Sequence, residues 1–429
     1  MRSRILITCA VSAVLLAGCP TEPPPAPSVQ NDAWPGVTAD GPSAQGITTY
    51  RFLGGTTNEW YVTGELSYGS TPESVVAETT AYPRTGPTGE TLGSPQVLSP
   101  TIYAPTSGLT PPVSVRRPYL GDQLLLTGSA IAGGANQIWV DVAGTWTVGG
   151  TFALDPAGER VLAFDDQHVV TRKTATDAPF LDYPISMSGS TVTIGAARPI
   201  AVPASWPADF HSSDNTAAAL IDDTLYLAMS AGVPGSTGPY QTRLLTADLS
   251  GSTPVVDADA YAFGGDTVVR GFDADRDGSS VRVAMGIASG IASGTPNSVA
   301  VLRSDAGGPW SLESTLTSPA SLGGYQSHFG FAVAIDDDRL VAAGRILTLP
   351  GALGDRSVHV VSGFERVGGT WVHVATMTPD HPAVDPTETY RYLVYGMVDL
   401  AGTHGAALVV SDATDSPTGV WENWRFEAS

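Results

Sequence analysis

A short apolar strand opened by an acidic or glycine turn recurs along the 429-residue chain, and no other feature restricts its fold as strongly. The clearest copies are LGDQLLLTG from Leu120, FDDQHVVTR from Phe164, LIDDTLYLAM from Leu220, DADRDGSSVRVAMG from Asp273 and IDDDRLVAAG from Ile335. Weaker relatives are LGGTTNEWYVTG from Leu53 and LAGTHGAALVV from Leu400. With Thr57, Asp122, Asp166, Asp223, Asp277, Asp338 and Thr403 as turn markers, the intervals are 65, 44, 57, 54, 61 and 65 residues. Such intervals suit one four-stranded antiparallel sheet per repeat. No stretch beyond the amino terminus holds a 3.6-residue apolar period over three turns, and 48 glycines and 33 prolines are spread throughout, so almost no helix is expected.

A second element repeats beside the first. SVAVLRSDAGGPWSLESTLTSP from Ser298 and SVHVVSGFERVGGTWVHVATMTP from Ser357 place Trp310 on Trp371 and Pro319 on Pro379, and IWVDVAGTWTVGG from Ile138 is a shorter copy with Trp146. Each reads as two strands around a glycine turn. Seven markers and three hairpin copies predict an all-β β-propeller of about seven four-stranded blades over residues 45–429. A β-sandwich, or two stacked all-β domains, is the alternative that would also give short strands.

HFGFAVAIDDDRLVAAG from His328 and AFGGDTVVRGFDADRDGSSVRVAMG from Ala262 resemble FG-GAP repeats, the blade units of integrin-type propellers. Phe329-Gly330 and Phe263-Gly264 match the naming dipeptide, and FERVGGTW from Phe364 is similar to the hairpin that follows it in bacterial members. The resemblance covers about residues 262–380. It implies seven blades, with calcium held in some of the turns.

The chain begins MRSRILITCAVSAVLLAGCPTEPPPAP, with Arg2 and Arg4 ahead of a 14-residue apolar run, residues 5–18. A membrane-spanning helix needs about 20 residues, so the run reads as an export signal. Leu16-Ala17-Gly18-Cys19 resembles the lipobox of bacterial lipoproteins, which implies cleavage before Cys19 and acylation of its sulfur and new amino group. Two or three acyl chains anchor durably where one does not. The expected organisation is a signal peptide over 1–18, a lipidated cysteine with a proline-rich linker over 19–44, and the propeller over 45–429. The expected location is the bacterial cell envelope, with the outer membrane favoured in a two-membraned cell because Pro20 follows the cysteine.

Cys9 leaves with the signal, so the exported domain has no internal disulfide. The net charge of -21 becomes -23 once Arg2 and Arg4 are gone, a surface that repels nucleic acid. The expected partners are therefore the bilayer, through acylated Cys19, and a protein or glycan ligand.

Asp273, Asp275 and Asp277 followed by Gly278 have the alternation of a calcium loop, because calcium takes six to eight oxygens and a glycine sixth lets carboxylates converge. Position nine, acidic in the FG-GAP pattern, is Val281, and a helix-loop-helix site would need Glu where Ala284 stands. The stretch reads either as a calcium site or as a tight turn. The turns at Asp165-Asp166, Asp222-Asp223 and Asp336-Asp337-Asp338 lack the alternation and are expected to accept local backbone hydrogen bonds.

No nucleophile elbow, phosphate loop or His-Glu-x-x-His motif is present, and the seven histidines are scattered, so no catalytic residue is assigned. His359 and His373 flank one hairpin as solvated strand residues. RSDAGGPW from Arg303 is similar to the Asp box of sialidase propellers, with Arg303 where Ser or Thr is usual. Trp146, Trp310 and Trp371 recur at equivalent positions, as packing residues do. The expected role is a lipid-anchored, non-catalytic propeller for protein or glycan binding. A sialidase-like glycoside hydrolase and a structural envelope component are the other two readings.

Overall fold

A computed structural model describes residues 29–32, 38–39, 60–68, 75–85, 91–94, 96–103, 119–127, 135–155, 159–173, 180–202, 215–232, 240–289, 298–319, 325–327, 329–347, 357–377, 391–401, 404–412 and 418–426. These residues hold strands and turns and no helix, in seven antiparallel sheets that follow one another along the chain. Sheet 1 begins at Trp60–Tyr68 and sheet 2 at Tyr119–Leu120. Sheets 3, 4 and 5 begin at Glu159–Phe164, Asn215–Ile221 and Thr267–Asp277. Sheet 6 begins at Tyr325–Ser327 and Val333–Asp336, and sheet 7 at Arg391–Ala401.

Sheets 2, 4 and 5 are plain four-stranded meanders, and sheets 3 and 6 are meanders with one further short strand. Sheet 7 takes its fourth strand from the other end of the chain. Val29–Asp32 pairs antiparallel with Thr418–Phe426, Val29 opposite Phe426 and Asp32 opposite Asn423, and Thr38–Ala39 continues along the same strand. Both segments fall within 19–44, read from its prolines as a linker. Between Pro27 and Pro35 the stretch SVQNDAW has no proline and keeps every backbone N–H a ladder needs.

Sheets 2 to 5 are each covered on both faces, which separates a propeller from a two-layer sandwich. In Thr224–Gly232, Leu225, Leu227 and Met229 pack with Val170, Phe180 and Ile200 of sheet 3, whereas Tyr226 and Ala228 pack with Val283 and Met285 of sheet 5. In Ser280–Ser289, Val283 and Met285 face sheet 4 and Ala284 faces sheet 6. Leu124 and Leu126 face sheet 3, and Leu125 faces sheet 1. This is why the strands after the acidic turns read as continuous apolar runs rather than alternating ones. The fourth strand of sheet 5 turns mostly to solvent: Ser311–Thr317 buries only Leu316.

The first strands lie against one another in chain order. Tyr119–Leu120 neighbours Glu159–Phe164, which neighbours Asn215–Ile221, and so on through Thr267–Asp277, Val333–Asp336 and Arg391–Ala401. First strands inside, fourth strands outside and sheets face to face make the chain a β-propeller.

At the boundary of sheets 5 and 6, the Phe329-Gly330 pair explains itself. Phe329 is buried with Val299 and Val301 on one side and Leu340, Phe364 and Trp371 on the other. Gly330 sits at φ +82, sends its N–H to the Ala343 carbonyl at 2.8 Å and accepts the Gly271 N–H at 3.1 Å. The backbone passes so close to Gly286 that a Cβ there would meet the Gly330 oxygen at 1.6 Å.

Candidate functional site

The residues singled out for calcium do not curl into a loop. Asp273, Asp275 and Asp277 lie on one face of Thr267–Asp277, opposite Ala284, Arg282 and Ser280 in the ladder. Alternate residues of a strand are about 6.6 Å apart along its axis, so the three positions are strung out along the strand. Gly278, at φ +60, turns the chain at once into Ser280–Ser289.

Their partners are in sheet 6. The Ile335 N–H donates to Asp273 at 2.8 Å, and the Asp337 N–H donates to Asp275 at 2.6 Å. Burial pushes the Asp273 carboxyl up to about 7, against the lowering by N–H groups of Ile335 and Ala274. Burial also raises Asp275, with the charges of Asp336 and Asp337 adding to it. Asp277 pairs with Arg282 at 2.8 Å. Carboxylate oxygens of Asp275, Asp336 and Asp337 come within 4.8 Å of one another. The structure thus keeps Asp275 in an acidic cluster, exchanges Asp277 for two residues of the next sheet, and commits Asp273 to a backbone donor. These hard oxygen donors suit calcium.

The acidic turns do more than accept local hydrogen bonds. Asp165 behaves as expected, taking the N–H groups of Gln167 at 2.8 Å and His168 at 2.6 Å. Asp166 reaches back to sheet 2 and takes the N–H groups of Gln123 at 2.8 Å and Leu124 at 3.0 Å. Asp223 of sheet 4 meets His168 Nε2 of sheet 3 at 3.2 Å, and Asp222 pairs with Arg276 of sheet 5 at 2.7 Å. The turn is local in its fold and intersheet in its bonding.

Two buried polar centres were not anticipated. His168 lies between Asp223 and Asp182, the latter wholly buried and 2.9 Å from Nδ1. Arg282, 1% exposed, pairs with Asp277, with Glu313 at 3.3 Å and with Asp338 of sheet 6 at 3.4 Å, and donates to the Asp337 carbonyl at 3.0 Å. Glu313 also holds Arg366 of sheet 6 at 2.7 Å. One signal for Arg282 was available: it interrupts the apolar run Val281 to Ala284, as a buried ion-pairing arginine would.

The Asp-box-like turn closes on its own sheet. Ser280 and Arg303 both donate to Asp305 at 2.6 Å, Ser304 donates to the Gly308 carbonyl, and Asp305 is largely exposed. Trp146 and Trp371 are buried, and Trp310 meets Tyr226 of sheet 4 edge-on at 5.8 Å. His373 stacks edge-on against Phe364 at 5.5 Å and bonds Thr376 at 2.9 Å. Cys19 and residues 1–28 lie outside the described residues.

No family model and no curated protein matches the chain. Among solved structures it is similar to the β-propeller domain of the Trilobed protease from Pyrococcus furiosus, at 8% identity and a TM-score of 0.42 over 86% of this chain and 96% of that one. It is similar to an ulvan lyase, a polysaccharide lyase, at 12% identity and a TM-score of 0.44 over 88% of this chain and 95% of that one. A putative 6-phosphogluconolactonase from Bacteroides uniformis shares 11% identity, with a TM-score of 0.45 over 76% of this chain and 84% of that one. The likeness is one of fold. Those proteins differ in activity, and a shared propeller transfers none of it.

Proposed function

We propose that the chain is an envelope lipoprotein in which acylated Cys19 carries a non-catalytic β-propeller that offers its loops to a protein or glycan. The observation that supports this reading is the use made of buried charge. Asp166, His168, Asp273 and Arg282 each bind the adjacent sheet, so these groups serve to hold a rigid display scaffold. FG-GAP-type blades in sheets 5 and 6, seven blades in all, and closure of the ring by Val29–Asp32 belong to the same proposal.

The pairing of Val29–Asp32 shortens the tether. Only residues 20–28 lie between Cys19 and Val29, and nine residues at about 3.1 Å each can span at most about 28 Å.

Cys19→Ser is expected to move the protein from the membrane fraction to the soluble fraction on cell fractionation; continued tight sedimentation with membranes overturns the anchor. Capture from envelope extract with the detergent-purified full chain is expected to enrich a protein or glycan. Turnover of a glycan by the same preparation would instead establish a hydrolase. The calcium expectation is carried forward on Asp275 with its sheet 6 neighbours Asp336 and Asp337. Calcium should raise the melting temperature of the full chain, and Asp275→Asn should remove the rise; an equal rise in the variant places calcium elsewhere.

A further inference from the structure

We propose that His168 is a proton-operated latch between sheets 3 and 4, closed when the imidazole is charged and released when it loses its proton. The argument is one of donors and acceptors. His168 Nδ1 faces Asp182 at 2.9 Å and Nε2 faces Asp223 at 3.2 Å, so a carboxylate stands at both ring nitrogens. A neutral imidazole has one N–H and one lone pair, and only the imidazolium donates at both nitrogens. Deprotonation therefore sets a lone pair against one carboxylate, and the contact that gives way is the one able to reach water. Asp182 is fully buried, whereas the Asp223 side chain is 46% exposed. Asp223 belongs to sheet 4, so releasing it loosens the boundary.

The surroundings fix which contact stays. Arg198, from Arg198–Ile200 in sheet 3, donates to Asp182 through Nε at 2.7 Å and also through Nη2. The same guanidinium donates to the carbonyls of Leu249, at 2.8 Å, and Gly251, both in the turn after Tyr240–Asp248 of sheet 4. Asp182 is thus anchored in either protonation state. Asp165, on the turn before His168, is the third carboxylate nearby. Burial opposes charging His168, but its hydrogen bonds to Asp182 and Asp223 and the charge of Asp165 outweigh burial and raise it above its ordinary 6.5.

The sign follows. A group that binds its proton more tightly when folded stabilises the fold below its unfolded pKa, and this contribution is lost as pH rises through the folded value. The latch is therefore closed at pH below the raised folded pKa of His168 and opens as pH rises through it. It does not depend on the proposed anchoring, ligand or ring closure.

The test is a pH titration of the seven histidine imidazoles by carbon-13 NMR on the full chain in detergent, with His168→Gln identifying the signal. The His168 midpoint is expected above 6.5 and should fall toward it in Asp223→Asn. Should His168→Gln not fold, replacing each of the other six histidines by Gln in turn assigns their signals and leaves His168 as the remaining one. Hydrogen exchange, corrected for the intrinsic effect of pH, is expected to show lower protection of Asn215–Ile221 and Thr224–Gly232 above the measured His168 midpoint than below it. A midpoint at or below 6.5, a midpoint unmoved by Asp223→Asn, or protection that does not change with pH overturns the latch.

Discussion

Gly286→Ala is expected to destabilise the chain by about 3 kcal/mol or more, at the upper end of what overpacking costs. The added Cβ would lie 1.6 Å from the Gly330 carbonyl oxygen and 2.6 Å from its carbon, and both are backbone atoms that no rotamer change can move. Gly330 cannot yield alone, because its N–H is committed to Ala343 and its oxygen to the Gly271 N–H. Relief requires sheets 5 and 6 to separate, which would open the packing of Phe329 against Val299, Val301 and Phe364. Equilibrium urea unfolding should give a lower midpoint at unchanged slope. Gly264→Ala is the control: a Cβ there meets nothing within 4 Å, and its midpoint should stay at the wild-type value. An unchanged midpoint for Gly286→Ala would mean that the two sheets do not approach as described.

Arg282→Ala should cost about 1 to 3 kcal/mol, the range for removing a buried, hydrogen-bonded charged group whose partners are half exposed or keep another arginine. Its guanidinium is 1% exposed and stands between Asp277, Glu313 and Asp338. Removing it leaves Glu313, itself 12% exposed, to Arg303 and Arg366 and detaches the turn of sheet 6 at Asp337. Arg282→Lys should recover only a minor part, since one ammonium cannot reproduce a planar fork that reaches three carboxylates and a carbonyl. Full recovery by lysine would show that charge alone matters at this position and that the geometry does not. Both variants can be read by the same urea unfolding.

Much of the architecture was legible because a propeller repeats its local chemistry. The intervals between acidic turns marked the sheets, and the copied hairpins placed Trp146 and Trp371 where they are buried. The bonding of those turns was not legible, because sequence spacing gives the shape of a turn but not which sheet its side chains reach. Asp165 and Asp166 are adjacent and look alike, yet one caps its own turn and the other holds Gln123 and Leu124 of the preceding sheet. The acidic cluster was not legible for a related reason. Strand geometry separates Asp273, Asp275 and Asp277, and the neighbours that gather around Asp275 are 61 and 62 residues further along the chain, at Asp336 and Asp337. The strand Val29–Asp32 was hidden by the prolines on either side of it.

The central claim is that consecutive sheets stand around one axis and that the amino-terminal strand completes the last of them. Sheets packed face to face are spaced about 10 Å apart, so seven in an open row would put the first and last about 60 Å apart. Spin labels on Thr101 in the Gln96–Tyr103 strand of sheet 1 and on Thr418 in the Thr418–Phe426 strand of sheet 7 measure that separation by pulsed electron resonance. A ring predicts a single narrow distribution at about 20 to 30 Å, the roughly 10 Å face spacing widened by the splay of the blades and the reach of the two labels. A distribution centred near 60 Å would contradict the propeller.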